Sequence, residues 1–455
     1  MLYKLSFLTL IILAFNSCGT VETSPNKAVE NSSHSRISNP PSSNQQTIVT
    51  CQQNKNITAL YTEYQKKEIK IDAPSGLKLL LLNQPNNLSQ KTFNKNSLYN
   101  LFKTEYFWAK QTPKNLNLNS YSEPQALIND AKYKDDRWSF AVTPEVYSNV
   151  SSQKSIGIGF SCQDTSEGCL VTFVRIDSPA DKMDLRRGDI IQRVNNRRAT
   201  QKGIYTKGQE EKLLTFNLLR ANRQCSGKVL PKEYSYKVVA SKTIKTSQNE
   251  KVGYLRLDSF LGDDKILAQI DDAFDNFKKE SIEKLVIDLR YNGGGSVDLA
   301  SKLLDKLVQN KENQEQFTLA WNQENKSKNK LYLFDKTSNS LDLKQILFLT
   351  TKDSASASEL IISAMMPYLP EEDVVIIGEK THGKPVGMSG KSDGNYYYFL
   401  INFVVKNSLG FYDYFEGLRV SSGCNIKDDP FHEMGDKNEA LLKSALHYID
   451  TGSCK

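Results

Sequence analysis

Three serines alternate with alanines in Ser354-Ala355-Ser356-Ala357-Ser358, just ahead of Glu359 and an apolar run (Leu360, Ile361, Ile362, Ala364, Met365, Met366). Lys384 follows 28 residues after Ser356, inside Gly383-Lys384-Pro385-Val386-Gly387. A serine hydroxyl attacks a carbonyl carbon efficiently only when a neighbouring base takes its proton. A lysine can be that base only as the neutral amine, so burial or nearby positive charge must bring its pKa down from about 10.4. No carboxylate lies close to Lys384 in sequence after Glu379, which suits a desolvated amine. The pattern therefore reads as a serine nucleophile and its lysine base. Spacing leaves Ser354, Ser356 and Ser358 equally eligible, and short serine runs are also ordinary turn and N-cap chemistry. Small residues ahead of an apolar run predict a strand-to-helix turn, and a helix N-terminus offers unpaired N–H groups that favour developing negative charge. His382 is a rival base, because its charge changes near neutral pH.

The elements that must position these residues come next. A buried strand, Leu285-Val286-Ile287-Asp288-Leu289-Arg290, runs into Tyr291-Asn292-Gly293-Gly294-Gly295 and then a helical segment from Leu299 to Leu307. The same order recurs with Ile346-Leu347-Phe348-Leu349-Thr350, the serine turn and its helix, followed by Val374 to Glu379 and the Lys384 loop. This alternation predicts an α/β core with functional loops at its strand ends. The glycine run lacks the Lys-Ser/Thr of a phosphate loop and the spacing of a dinucleotide fingerprint, so it needs another reason.

Upstream, Gly157-Ile158-Gly159-Phe160 and Leu170 to Ile176 look like strands, followed by Ser178-Pro179-Ala180 and Arg187-Gly188-Asp189-Ile190-Ile191-Gln192-Arg193-Val194-Asn195. Together they resemble a bacterial PDZ domain. That resemblance implies that the Gly157–Phe160 loop presents backbone N–H groups to a peptide C-terminal carboxylate while an edge strand pairs with the peptide. Asn96 to Tyr133 reads as partly helical, with an aromatic stripe (Phe102, Tyr106, Phe107, Trp108) at core-like spacing, followed by Asp135-Asp136-Arg137-Trp138-Ser139-Phe140.

At the N-terminus, Lys4, an apolar run from Leu5 to Phe15 and Ser17-Cys18-Gly19 have the shape of a signal peptide. They resemble a bacterial lipobox, which implies acylation of Cys18 and a membrane anchor. The Ser-, Asn-, Pro- and Gln-rich stretch to about Thr50 reads as a disordered tether. Removing Cys18 leaves six cysteines, an even number that makes disulfides plausible in an exported chain; Cys162 and Cys169 could close a short loop, and the overall pairing stays open. No Cys-x-x-Cys spacing occurs and there are four histidines, so no metal or other cofactor is expected. The net charge of +7 comes from 59 basic and 52 acidic residues spread along the chain, which gives no support to a nucleic-acid partner.

Asp288-Leu289-Arg290-x-Asn292-x-Gly294-Gly295, Ser-Ala-Ser-Ala-Ser-Glu-Leu and Gly378-Glu379-Lys-Thr-His-Gly-Lys384, behind a PDZ-like segment, resemble the C-terminal processing (tail-specific) serine peptidases over roughly residues 96 to 455, including Gly435-Asp436-Lys437-Asn438-Glu439. The resemblance implies that Ser356 is the nucleophile, Lys384 the general base and Glu359 a supporting acid. It also implies that Gly294 or Gly295 forms the oxyanion hole with the Ala357 N–H. Met388 stands where many members have a glutamine that hydrogen-bonds the lysine. Leu369-Pro370-Glu371-Glu372 looks like a short loop insertion.

The expected architecture is multidomain α/β. It comprises a signal peptide (1–18), a tether (19–50), a partly helical N-terminal region (51–148), a PDZ domain of mostly β structure (149–242) and a ClpP/crotonase-like peptidase core (245–455). The expected function is a membrane-anchored envelope endopeptidase facing the periplasm, on the outer membrane if the cell is diderm. Its partners would be proteins or peptides with free C-termini. The alternative is a catalytically weak or inactive tail-binding scaffold.

Overall fold

The structure, a computed structural model, describes residues 46–52, 92–201, 203–204, 212–262 and 264–454. Cys18, the signal peptide and most of the expected tether lie outside the described residues. Among the described residues no helix is long and apolar enough to cross a membrane.

The tether is shorter than expected. Thr47–Cys51 forms a strand that pairs antiparallel with Arg223–Val229. Its β-branched run, Thr47-Ile48-Val49-Thr50, is strand-forming despite the polar sequence before it. Val49 is buried, and the Cys51–Cys225 disulfide staples the pair.

The N-terminal helices pack against a strand from far downstream. Asn94 caps Lys95–Thr104 by accepting the Ser97 N–H at 2.9 Å, and this helix buries Leu98, Tyr99 and Phe102. Pro124–Ala131 buries Leu127, Ile128 and Ala131. These side chains and Trp138 share one core with Tyr398, Leu400, Ile401 and Val404 of the long strand Tyr397–Asn407, far downstream. The short strand Phe140–Val142 pairs with that same strand. Amphipathic helices show which face is apolar but not what covers it.

The middle region is an antiparallel sheet. Its strands run in spatial order Thr47–Cys51, Arg223–Val229, Leu214–Arg220, Ile190–Val194, Cys169–Val174, Phe160–Asp164, around Val171, Met183, Ile191, Phe216 and Leu218. Cys162–Cys169 bridges its outermost hairpin. The segment from Tyr234 to Val239 lies outside this sheet and divides. Lys232–Ser235 pairs with Lys154–Gly157 as a separate ribbon. Val239–Lys245 pairs with Lys251–Leu257, so the core begins near 239 rather than 245.

The core sheet has the order Val239–Lys245, Lys251–Leu257, Lys284–Asp288, Gln345–Thr350, Val374–Gly378, with the last four strands parallel. Asp264–Lys279, Val297–Leu307 and Ala357–Met365 pack on one face, and Ala440–Thr451 covers the other. Parallel strands covered on both faces must be apolar throughout, which explains Leu-Val-Ile, Ile-Leu-Phe-Leu and Val-Val-Ile-Ile. Their carboxyl ends deliver the glycine loop, the serine turn and the Lys384 loop to one rim, where open α/β sheets place their sites. Cys424–Cys454 ties the last helix to the loop beside the core sheet.

Closing a 30-residue separation should restrict the unfolded chain. Replacing Cys424 and Cys454 together by Ala is expected to cost about 2–4 kcal/mol, seen as a lower Tm in thermal unfolding under non-reducing conditions. An unchanged Tm would show that this bridge does not contribute.

Candidate active site

The glycine loop is fixed from below by a buried charge network. Arg290 is fully buried and pairs with Asp288 at 2.6 Å and with Asp428 and Glu439 at 2.8 Å. Asn292 is also fully buried. Its Nδ2 donates to Leu257 O at 2.7 Å, its Oδ1 accepts the Gly294 N–H at 2.9 Å, and its carbonyl accepts from Ala355 N–H and the Ser358 hydroxyl. One asparagine thus ties the glycine loop to the serine turn. A Cβ at residue 294 would stand 2.7 Å from Ser356 Cβ and 2.9 Å from Ala357 N, and one at 295 would overlap the backbone of Phe260 and Leu261. Only glycine lets the two loops approach so closely.

Geometry separates the three serines that spacing could not. Ser354 and Ser358 are fully buried, and their hydroxyls donate to Leu289 O and Asn292 O, each at 2.9 Å. Ser356 is half-buried, and its hydroxyl proton is donated to no group among the described residues. Its backbone lies at φ 58° and ψ −114°, immediately before the helix Ala357–Met365. A non-glycine residue holds such a conformation only when its surroundings over-determine it.

Glu359 supplies that determination. It is completely buried, and each carboxylate oxygen accepts two hydrogen bonds. Oε1 takes the Thr381 hydroxyl and the Gly383 N–H, both at 2.6 Å; Oε2 takes the Ser356 N–H at 2.9 Å and the Lys384 N–H at 2.8 Å. The backbones of Ser356 and Lys384 are therefore joined through a single oxygen atom. Burial pushes the Glu359 carboxyl up, against the pull of the four donors.

Lys384 keeps part of its surface open, yet protein crowds its amine, and desolvation lowers its pKa to about 8 against the opposing charges of Asp136 and Glu359. No carboxylate lies within ion-pairing distance of its Nζ among the described residues. His382 is engaged differently: its Nε2 faces the Trp138 indole Nε1 at 3.2 Å, so the lone pair that a base would use accepts a hydrogen bond. Burial, followed by Arg137 and Lys384, lowers its pKa.

Among the oxyanion candidates, the Gly294 N–H is consumed by Asn292, whereas those of Gly295 and Ala357 meet no acceptor among the described residues. Of the two glycines, Gly295 is the free donor. Met388 is packed among apolar and aromatic neighbours of both the helical core and the Phe140–Val142 cluster, so it fills space where a hydrogen-bonding side chain was expected. Leu369 to Glu372 forms an edge loop with a short turn at Glu371–Asp373.

The Gly157–Phe160 loop stands apart, on the antiparallel sheet. Ile158 O accepts the Ala180 N–H, and Gly159 O accepts the Arg175 N–H and the Ser178 hydroxyl; the N–H groups of Ile158 and Gly159 meet no acceptor among the described residues. The following strand, Phe160–Asp164, is the last of its sheet. This sheet is pinned to the core by Arg187, which binds Asp428 and the Tyr291 hydroxyl beside the glycine loop.

Sequence reasoning missed the Asp136-Arg137-Trp138 turn, whose contacts with the Lys384 loop span about 245 positions. The acidic pair, arginine and tryptophan in a polar turn were the available signal; no spacing rule connects them to a loop so distant.

A chain with this α/β core and this hydroxyl-amine pair at its strand ends has the makings of a serine hydrolase. Residues 251–394 match the model of peptidase family S41, and residues 93–140 match the peptidase S41 N-terminal domain. A Staphylococcus epidermidis protein named "Probable CtpA-like serine protease" is 26% identical over 387 residues, covering 78% of this chain and 73% of its own. A Staphylococcus aureus protein of the same name is 24% identical, covering 67% of this chain and 59% of its own. In fold, the chain is similar to a Bacteroides fragilis protein assigned to the S41 proteases, with a TM-score of 0.67 and 23% identity over 79% of this chain and 98% of the other. Over residues 93–140 and 251–394 the chain is similar to peptidase family S41, and it is a serine-type peptidase acting on protein or peptide substrates.

Glu359→Gln would aim an amide N–H₂ at donors that need an acceptor. Urea unfolding should show a loss of about 1–3 kcal/mol for each donor left unmatched, and peptidase activity should fall with it. Unchanged stability would contradict the four-donor arrangement.

Proposed function

We propose that Ser356 and Lys384 form the catalytic dyad of an exported endopeptidase that takes its substrates by their C-terminal tails. The observation that carries this reading is the combination at Ser356. Its hydroxyl proton, unlike those of Ser354 and Ser358, is uncommitted, and its backbone shares one Glu359 oxygen with Lys384, whose pKa is lowered to about 8.

In this reading the neutral Lys384 amine takes the Ser356 proton as Oγ attacks the scissile carbonyl carbon. The oxyanion that forms is met by the N–H groups of Gly295 and Ala357, placed where charge develops. Lysine, now protonated, gives its proton to the leaving amine, which leaves an acyl-serine. Water attacks the ester, again losing a proton to Lys384, and the acid product departs with Ser356 restored. Glu359 touches no substrate and positions both partners.

The sheet carrying Gly157–Phe160 is the proposed PDZ domain. Unengaged N–H groups at Ile158 and Gly159 suit a terminal carboxylate, and the outermost strand, Phe160–Asp164, suits an added peptide strand. Cys18 is the proposed lipid attachment site, anchoring the enzyme in the cell envelope toward the periplasm, on the outer membrane if the cell is diderm. The three disulfides fit an oxidising compartment.

The test is cleavage of a denatured protein ending in an apolar C-terminal tail. Ser356→Ala and Lys384→Ala should each abolish it, and full cleavage by either variant would overturn the dyad. Amidating the substrate's C-terminus should raise KM about tenfold or more with kcat little changed; an unchanged KM would remove the tail-capture reading. Mass analysis of the chain purified from membranes should find acylated Cys18 as its first residue; an unmodified Cys18 would remove the anchor.

A further inference from the structure

The reading of Lys384 as base leaves a structural question, because the side chain at 388 that could hold its amine is a methionine packed in an apolar cluster. The amine itself has no hydrogen-bond or ion-pair partner among the described residues, so its placement depends on how firmly its loop backbone is held. Glu359 holds one side, through the Thr381 hydroxyl and the N–H groups of Gly383 and Lys384. The other side meets a turn from the N-terminal region.

We propose that the Asp136-Arg137-Trp138 turn is a positioning element of the active site, clamping the Lys384 loop from the side opposite Glu359. Three contacts carry this. Arg137 Nη2 donates to Phe415 O at 2.9 Å and, at a longer 3.4 Å, to Gly383 O, the carbonyl directly preceding Lys384. The peptide joining Gly383 to Lys384 is thus gripped at its N–H by Glu359 and at its C=O by Arg137. Trp138 Nε1 reaches His382 Nε2 at 3.2 Å, holding the residue on the far side of Gly383. The Arg137 guanidinium also lies over the Trp138 ring, 4.8 Å from its centroid, so the two grips brace each other.

Asp136 builds the turn. Its Oδ1 accepts the N–H groups of Trp138 and Ser139, both at 2.9 Å, and its Oδ2 accepts the Tyr106 hydroxyl at 2.7 Å and the Ser139 hydroxyl at 2.5 Å. The Ser139 hydroxyl oxygen in turn accepts the Ile401 N–H from the long strand. The turn is therefore fixed to the strand that runs back beside the Lys384 loop. The loop has little freedom of its own: Gly383 lies at φ +87°, and a Cβ there would meet Phe415 O at 2.2 Å.

The charged and titratable groups around the Lys384 amine come from four elements. Asp136 and Arg137 stand on this turn, Glu359 on the serine helix and His382 on the loop itself; Tyr414, from the segment after the long strand, is coupled to Glu359. Asp136 and Glu359 both favour the ammonium form. Removing the Asp136 charge makes the neutral amine available at lower pH, so the rising limb of kcat/KM against pH should move downward.

The experiment uses the full chain and the cleavage assay above. Arg137 is largely exposed, so Arg137→Ala should fold; it is expected to lower kcat about tenfold or more with KM within about twofold, because a displaced base costs rate rather than binding. Arg137→Lys should recover part of the loss. Trp138→Phe, which keeps a ring and deletes the N–H, should lower kcat several-fold. Asp136→Asn should move the rising limb to lower pH, a change that a purely structural role would not produce. The proposal is overturned if Arg137→Ala and Trp138→Phe both keep kcat within about twofold of the parent. It is also overturned if folded Asp136→Asn leaves the limb in place. Lys384→Ala separates this from the underlying reading: if it still cleaves, lysine is not the base; if it is inactive while the turn variants are normal, only the clamp is wrong.

Discussion

The buried Glu359 carboxylate is the constraint on which the site depends. A carboxylate taken out of water costs several kcal/mol unless its lone pairs are satisfied, and here each oxygen receives two donors. Charge-assisted bonds of this kind are worth about 1.5–3 kcal/mol each, which offsets much of the burial, although burial still raises the carboxyl's pKa. The donors come from the serine turn and from the Thr381 to Lys384 loop, so satisfying one side chain brings two distant segments together. The same bond to the Ser356 N–H helps hold that residue at φ 58°, a conformation that costs about 1–3 kcal/mol elsewhere.

The rest of the molecule fixes what Glu359 joins. Asp288, Arg290, Asp428 and Glu439 form a buried charge cluster beneath the glycine loop. Arg187 of the antiparallel sheet enters the same cluster and reaches Tyr291, the residue before Asn292. The orientation of that sheet and the shape of the glycine loop therefore rest on shared side chains. The N-terminal helices are integrated in another way, by sharing a hydrophobic core with Tyr397–Asn407. Chain segments that look separable by composition are in fact tied to the core by shared side chains.

Much of the rim was legible because its physics is local. Parallel strands buried on both faces read as continuous apolar runs, and glycines follow them where backbones must nearly touch. Ser354, Ser356 and Ser358 were indistinguishable, because their difference lies in partners (Leu289 O and Asn292 O) contributed by another loop. The choice between Gly294 and Gly295 was equally hidden, since it turns on which N–H the Asn292 side chain consumes. Met388 was visible as a departure, but its packing against the Phe140 cluster was not. The strand Thr47–Cys51 and the start of the core at Val239 were misplaced because pairing partners, rather than composition, decide where a strand belongs. Asp136, Arg137 and Trp138 were read as the edge of an aromatic core, since nothing in their spacing points to a loop near residue 383.

The central claim is that Ser356 is activated by a lysine whose amine is neutral near pH 8. The most direct measurement is the rate of covalent labelling by an activated phosphonate as a function of pH, with the modified residue mapped by mass spectrometry. The account predicts one label, on Ser356, with a rate that rises through a midpoint near pH 8 and is lost in Lys384→Ala. A label on Ser354 or Ser358, or a rate unaffected by the lysine substitution, would contradict it.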